Sequence, residues 1–282
     1  EATALMPLTI AAIQYCASDD AADTLAHIKP LIVKAAKTAQ LICLPEAATF
    51  LAASRAQLAE RAEWEDDSAS QKTLAALAHQ HNVWLLAGSL FLRRRQDHKL
   101  VNRSMLFSPN GQIIANYDKI HMFDANLGDG IRYCESDSFA AGNTPVIANL
   151  GGIQLGMSIC YDLRFAHLYR QLARDGAHII AVPAAFTAVS GAAHWHVLLR
   201  ARAIETGCYV IAPAQCGTHC DGRQTYGHAL IVNPWGEILA EANDGDAVIT
   251  TTVDLAKIST ARRAIPSLNN STEIGSTRFY RC

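Results

Sequence analysis

The sequence predicts an α/β domain with sheets inside and helices outside, and three observations carry that prediction. Strand–helix–strand units alternate with hairpins along the chain, no linker divides them, and many strand-like runs are apolar throughout instead of alternating. Helices of such units pack on sheet faces. Strands apolar on both sides are covered on both sides, as two sheets packed face to face would leave them. One domain over residues 1–282 is expected, with a polar tail from about residue 257 that extends or docks on a partner.

Each element has its own signal. After a short lead-in, Thr9 to Gln14 is an apolar strand. Asp20 to Lys37 has helical spacing, which Pro30 should kink or split. Leu41 to Leu44 is a strand ending at Pro45-Glu46, residues 69–81 are helix-like, and Val83 to Gly88 is a further buried strand. Leu100 to Ser108 and Gln112 to Tyr117 flank Pro109-Asn110-Gly111 and form a hairpin. Residues 118–145 lack periodicity, and a loop of that length in a compact domain is usually functional. Val146 to Asn149 and Ile153 to Ile159 make a second hairpin around Gly151-Gly152. Arg164 to Asp175 is a helix stopped by Gly176, and His178 to Pro183 is a strand. His194 to Thr206 is a helix stopped by Gly207, and Cys208 to Pro213 is a strand. Thr225 to Asn233 and Glu237 to Ala240 form a third hairpin, and Ala247 to Val253 is the last strand.

Composition removes several classes. The chain carries a net charge of −2, and its longest basic run, Arg93-Arg94-Arg95, is followed by Asp97, so no nucleic-acid partner is expected. No apolar run reaches about 18 residues, so no membrane span is expected. Charged residues make up 18% of the chain against an average of about 25%, which calls for a large core or a surface covered by another subunit. Eight cysteines (16, 43, 134, 160, 208, 216, 220 and 282) could suggest disulfides. A chain able to build a real core needs no such staples, and Cys16, Cys43 and Cys208 lie in or beside apolar runs, so a reducing, cytoplasmic setting is favoured.

Ligand sites in α/β proteins gather outside strand carboxyl ends. Three strands here end in reactive residues: one at Glu46, one at Asp118-Lys119 and one at Cys160. Singly, each has an ordinary explanation as a cap, a solvated lysine or a core thiol. Together they suit nucleophilic chemistry. A thiol must become a thiolate to attack, and a nearby Lys119 ammonium favours that form. A carboxylate at Glu46 can take the thiol proton and return it to a leaving amine. Lys119 and the backbone N–H of Tyr161 can stabilise the oxyanion of a tetrahedral intermediate.

Leu44-Pro45-Glu46-Ala47, Tyr117-Asp118-Lys119-Ile120-His121-Met122-Phe123-Asp124 and Ile159-Cys160-Tyr161-Asp162-Leu163-Arg164-Phe165 resemble, in order, the three signature segments of the nitrilase superfamily of carbon–nitrogen hydrolases. The resemblance runs from about residue 8 to residue 255. It implies a four-layer αββα sandwich of two mixed sheets with outer helices, and a Glu–Lys–Cys triad of Glu46 as base, Lys119 as stabilising cation and Cys160 as nucleophile. It also implies that Glu135 is a second glutamate that orients Lys119 and the substrate nitrogen. No cofactor and no metal are implied. The stretch Ala193 to Glu205, with Ala214-Gln215-Cys216-Gly217, Tyr226-Gly227-His228 and Pro234-Trp235-Gly236, resembles the branch of deaminated-glutathione amidases and omega-amidases. Their substrates are small α-keto acid amides bearing a carboxylate. Arg164 matches the position that grips that carboxylate, and Phe186 matches a pocket wall. His196 departs from the pattern, standing where glutathione-linked members commonly carry glutamate. The helix from His194 to Glu205 lies at a two-fold dimer interface in this family. Leu198, Leu199, Ala201 and Ile204 give it apolar surface on more than one side, so a homodimer or higher homo-oligomer is expected.

Other readings fit less well. Cys216, His219, Cys220 and His228 are too loosely spaced to read as a zinc site. Gly156-Met157-Ser158-Ile159-Cys160 does not complete the G-x-S-x-G of a serine hydrolase, and no phosphate-cradling glycine loop is present. A nitrilase or an N-carbamoyl amino acid amidohydrolase would share the thiol attack. A non-catalytic ligand-binding protein on the same fold would be expected to lack a triad member.

Overall fold

A computed structural model describes residues 7–127, 132–270 and 272–279 of the chain; the lead-in before residue 7 and Cys282 lie outside them. In the first half, strands β1 (Leu8–Gln14), β2 (Leu41–Cys43), β3 (Glu63–Trp64), β4 (Trp84–Arg93), β5 (Leu100–Phe107) and β6 (Ile113–Asp118) alternate with helices α1 (Ala21–Ala36), α2 (Arg55–Arg61) and α3 (Ala69–His81). A small hairpin follows, β7 (Asp124–Asn126) and β8 (Arg132–Cys134). The second half comprises β9 (Val146–Asn149), β10 (Gln154–Met157), α4 (Ala166–Arg174), β11 (Ile179–Ala181), α5 (Ala188–Thr206), β12 (Tyr209–Ala212) and β13 (Cys216–Thr218). It ends with β14 (Gln224–Tyr226), β15 (Leu230–Val232), β16 (Ile238–Glu241), β17 (Ala247–Val253) and α6 (Leu255–Ala264).

Two mixed sheets form the centre. One runs β17-β1-β2-β4-β5-β6, with β3 on β4; the other runs β16-β15-β12-β11-β10-β9. The period of two along a strand assigns their faces. Ile10 and Ala12 of β1, Leu41 and Cys43 of β2 and Leu86 of β4 join the core of the second sheet. The intervening Ala11, Ile13, Ile42, Leu85 and Ala87 pack with Ile28 and Ile32 of α1 and Leu74 and Leu77 of α3. Leu168 and Leu172 of α4 and Trp195 and Leu199 of α5 cover the second sheet from outside. The layers are therefore helix, sheet, sheet, helix, and strands covered on both sides explain the unbroken apolar runs.

Several elements differ from expectation. Helix α1 runs through Pro30 without splitting. Pro30 lies on the exposed side, so water can take up the carbonyl it leaves without a donor, and Asp20 caps the start through the amides of Ala22 and Asp23. Helix α5 starts six residues earlier than expected, at Ala188, because the Thr187 side chain accepts from the Ser190 amide. The run Thr225 to Asn233 is broken in two, since Gly227 and His228 both have left-handed backbones with φ of 68° and 55°. Residues 255–264 are a helix docked on the same chain, where a polar tail from about residue 257 that extends or docks on a partner was expected. Arg262 of α6 donates to the carbonyls of Thr206 and Ala177.

Candidate active site

The two sheets bring Glu46, Lys119, Glu135 and Cys160 to one end of the sandwich. Glu46 follows β2 on a tight loop that packs directly on β4. A Cβ at Gly88 of β4 would lie 1.9 Å from the carbonyl oxygen of Leu44, so only glycine admits the loop there. Ser89 then holds the loop, accepting from the Ala47 amide at 2.9 Å and, through its own carbonyl, from the Ala48 amide at 2.8 Å. Lys119 follows β6 and donates its own amide to the Asn102 carbonyl of β5. Glu135 follows β8 at the start of a 3₁₀ turn. Cys160 begins the 3₁₀ turn Cys160–Arg164 after β10, with a left-handed φ of 47°, and Ala47 beside the carboxylate has φ 56°. Two non-glycine residues in this region at one site mark stored backbone strain.

A single ion cluster results. The Lys119 ammonium donates to Glu46 Oε1 at 2.9 Å and to Glu135 Oε1 and Oε2 at 2.9 and 2.8 Å. Asn102, whose side chain lies beside Lys119, donates through Nδ2 to Glu46 Oε1 at 2.9 Å and to Glu135 Oε1 at 3.1 Å. Glu46 Oε2 accepts from the Ala185 amide at 3.0 Å, and Glu135 Oε2 from the Phe123 amide at 2.7 Å. The Cys160 thiol hydrogen-bonds to Glu46, with the Ala185 amide beside the sulfur. Glu46, Lys119 and Cys160 are all buried.

Protonation follows from this wiring. Burial works to raise the Glu46 carboxyl, but the charge of Lys119 and the hydrogen bonds from Cys160, Lys119 and Asn102 outweigh it and hold the group below its ordinary value. Burial works to lower Lys119, and Glu135 and Glu46 overcome it, so the lysine stays charged. Burial and the Glu46 charge push the Cys160 thiol well above its ordinary value, and Lys119 only partly offsets them. The pull of Lys119 toward the thiolate, expected from the sequence, is thus outweighed in the resting site. Two carboxylates share one ammonium, so the cluster carries a net negative charge that a third anion, the thiolate, would worsen. The resting state is a neutral thiol facing a carboxylate.

The 3₁₀ turn carrying Cys160 is braced from below. Buried Asp162 accepts from the Ile159 amide at 2.9 Å, the Tyr117 hydroxyl at 2.7 Å, the His121 amide at 3.0 Å and His121 Nδ1 at 2.7 Å. The Tyr161 amide sits in the first turn, where helix N–H groups lack internal partners.

Cys160 opens into a cavity of about 600 Å³, which Phe91, Phe123, Phe139 and Phe186 line on the apolar side. Three arginines, Arg55, Arg164 and Arg223, also reach it. Arg55 pairs with Asp137 at 2.8 Å and Arg223 with Asp221 at 2.6 Å. Arg164 has no carboxylate partner among the described residues. Its guanidinium lies 3.3 Å from His194 Nδ1, 5.4 Å from the Phe186 ring centre and 6.0 Å from that of Tyr161. Phe186 is buried and packs on Trp195 at 4.9 Å.

The residues once weighed as a zinc set do not converge. His219 is buried between the Ala17 carbonyl and the Thr225 hydroxyl, and Cys216 lies against the Gly245 carbonyl. His228 instead meets Glu241. Asn102 and Asp162 were not singled out from the sequence. Asn102 had no isolated signal, because Arg103 and Ser104 follow it in the same strand.

With this fold and cluster in view, residues 9–263 match the carbon–nitrogen hydrolase family, and the chain belongs to it. The chain is 40% identical over 270 residues to the deaminated glutathione amidase of Synechocystis sp. (strain PCC 6803), covering 94% of this chain and 98% of that protein. It is 38% identical to the deaminated glutathione amidase of Yersinia enterocolitica, covering 95% and 94%. Among solved structures, the NitFhit protein of Caenorhabditis elegans superposes with a TM-score of 0.88 at 31% identity, covering 99% of this chain and 72% of that one.

Proposed function

We propose that this protein is a thiol-dependent amidase that hydrolyses the C–N bond of a small carboxylate-bearing amide, either deaminated glutathione or an α-keto acid ω-amide. The observation that carries this reading is the cluster in which Lys119 is clamped between Glu46 and Glu135 while the Cys160 thiol faces Glu46. The names of the two bacterial relatives support the substrate class.

Substrate enters the cavity with its carboxylate on Arg164, whose planar fork suits two parallel hydrogen bonds. Phe186 forms the wall beside it. Glu46 takes the thiol proton as the sulfur attacks the amide carbon, so thiolate forms only as the C–S bond forms. The oxyanion is held by Lys119 and the Tyr161 amide. Glu135 keeps Lys119 charged and aimed. Glu46 then hands its proton to the departing nitrogen, the C–N bond breaks, and ammonia or an amine leaves a thioester on Cys160. Water, deprotonated by Glu46, attacks the thioester; the C–S bond breaks, the acid product leaves and the thiol regains its proton.

The chain acts as one domain, and a homodimer built on α5 is part of the same proposal. Val197 and Ile204 of α5 are exposed, and the exposed Trp235 lies on the turn that abuts Ile204. A reducing, cytoplasmic location is supported by seven free cysteines among the described residues. No helix among those residues is long and apolar enough to cross a membrane.

An ammonia- and amine-release panel tests the reading. It includes deaminated glutathione, α-ketoglutaramate, N-carbamoyl amino acids and simple nitriles. Preferred turnover of a keto-acid amide is the expected result; preferred turnover of a nitrile or carbamoyl substrate overturns it.

A further inference from the structure

Beyond the amidase cluster, α5 and the edge of the second sheet bring together two imidazoles and a carboxylate. His196 Nε2 lies 2.8 Å from Glu241 Oε1, and His228 Nδ1 lies 3.0 Å from the same oxygen. The three atoms all fall within 4.8 Å of one another. We propose that His196, His228 and Glu241 form a binding site for a divalent first-row transition ion of the zinc type.

Convergence is the first argument. A carboxylate offers about four lone-pair positions on two oxygens. Two rings that merely sought hydrogen bonds could use different ones, yet both aim at one oxygen. Two ring nitrogens gathered on one carboxylate oxygen are three ligand atoms that an ion entering between them can share. In a tetrahedral site with bonds of about 2.0–2.1 Å, donor atoms stand about 3.3 Å apart. The observed separations from Glu241 reach that value with a shift of about half an ångström. Each ring would bind through the nitrogen now facing Glu241, with its proton moved to its other nitrogen.

Rigidity is the second argument. The three residues come from separate elements whose backbones are fixed. Glu241 ends β16 in register with Leu230 of β15. His228 sits in a left-handed turn, and its carbonyl accepts from Trp195 Nε1 at 2.8 Å. The rings are also packed: Tyr226 lies 4.3 Å from His228 and 6.0 Å from His196, centre to centre. A preformed donor set loses little on binding.

Access is the third. In the single chain the side chains of His196, His228 and Glu241 are 30%, 31% and 36% exposed, so an ion can enter there and keep solvent ligands. Two imidazoles with one carboxylate suit Zn²⁺, Co²⁺, Ni²⁺ or Cu²⁺, whereas Mg²⁺ and Ca²⁺ prefer oxygen ligands. The bound ion would tie α5 to β16, outside the reaction cluster.

Cobalt is the probe, because its visible spectrum reports its ligands. Chelator-treated full-length protein is titrated with Co²⁺, alongside His196→Gln and Glu241→Gln, and circular dichroism checks that each variant is folded. The wild type is expected to bind one Co²⁺ with d–d bands free of thiolate charge transfer. Each substitution is expected to weaken that component by at least roughly 100-fold, the upper range for losing an outer-shell partner alone. Amidase turnover of both variants without metal should equal that of the wild type. Retention of this spectral component by both folded variants overturns the proposal. So does a wild-type spectrum showing only cysteine-ligated cobalt, or no binding at millimolar metal.

Discussion

Replacing Asn102 with leucine removes a neutral side chain that hydrogen-bonds both carboxylates of the cluster. Its Nδ2 donates to Glu46 Oε1 at 2.9 Å and to Glu135 Oε1 at 3.1 Å, and its amide orientation is set because carboxylates only accept. A hydrogen bond to a charged group contributes about 1.5–3 kcal/mol. A bond kept equally in the free enzyme and the transition state would cancel in kcat/KM, so the loss arises from misplacing Glu46 against the Cys160 thiol, which lowers kcat/KM by roughly 10- to 100-fold. Stability should change less, by about 1–2 kcal/mol, because the Asn102 Oδ1 is buried without a partner among the described residues and its removal relieves that cost. The Asn102 bond is one of the interactions that hold the Glu46 carboxyl low. Without it the Glu46 pKa rises, and the acid limb of the kcat/KM profile moves to higher pH. The assay is amine or ammonia release over a pH series, with urea unfolding alongside. A variant within about twofold of wild type, with an unmoved acid limb, would refute this account of Glu46.

Asp162→Asn should cost about 3–5 kcal/mol in urea unfolding. It accepts four hydrogen bonds while buried, and an amide in its place turns a donor toward at least one of them; a loss below about 1 kcal/mol would show that the brace under Cys160 is unimportant. Arg164→Leu should raise KM for carboxylate-bearing amides by at least roughly 10-fold while leaving neutral amides little changed; an equal loss for both would place Arg164 outside substrate recognition. Glu46 is held low in the folded state, so its stabilisation is present above the ordinary glutamate value of about 4.3 and is lost as pH falls through the folded value. Acid unfolding of Glu46→Gln should therefore lack that contribution, and an unchanged acid stability curve would contradict the charged clamp.

The legible part of this protein was what lies along single strands. Glu46, Lys119 and Cys160 each stand just past the end of a strand, and chain direction alone carries such residues to a sheet rim; the strands before Glu46 and Cys160 are buried, whereas the one before Lys119 exposes Ile113 and Ile114. Glu135 came only through family resemblance, since a carboxylate in an aperiodic loop has no local signal. What stayed hidden depends on contacts between distant segments. The charge state of Cys160 follows from two carboxylates sharing Lys119, and spacing does not show that Glu135 joins Glu46 there. That α1 continues through Pro30 rests on which side of the helix faces water, which one residue type does not show. His196 looked like an unexplained departure; its partners, His228 and Glu241, come from elements far along the chain.

Intact-protein and peptide mass spectrometry of enzyme quenched during turnover of a slow amide goes directly to covalent chemistry at one sulfur. A mass increase equal to the acyl portion, located on Cys160 and lost on longer incubation, is the predicted result. Turnover with no adduct at any quench time, together with substantial activity in Cys160→Ala, would contradict it.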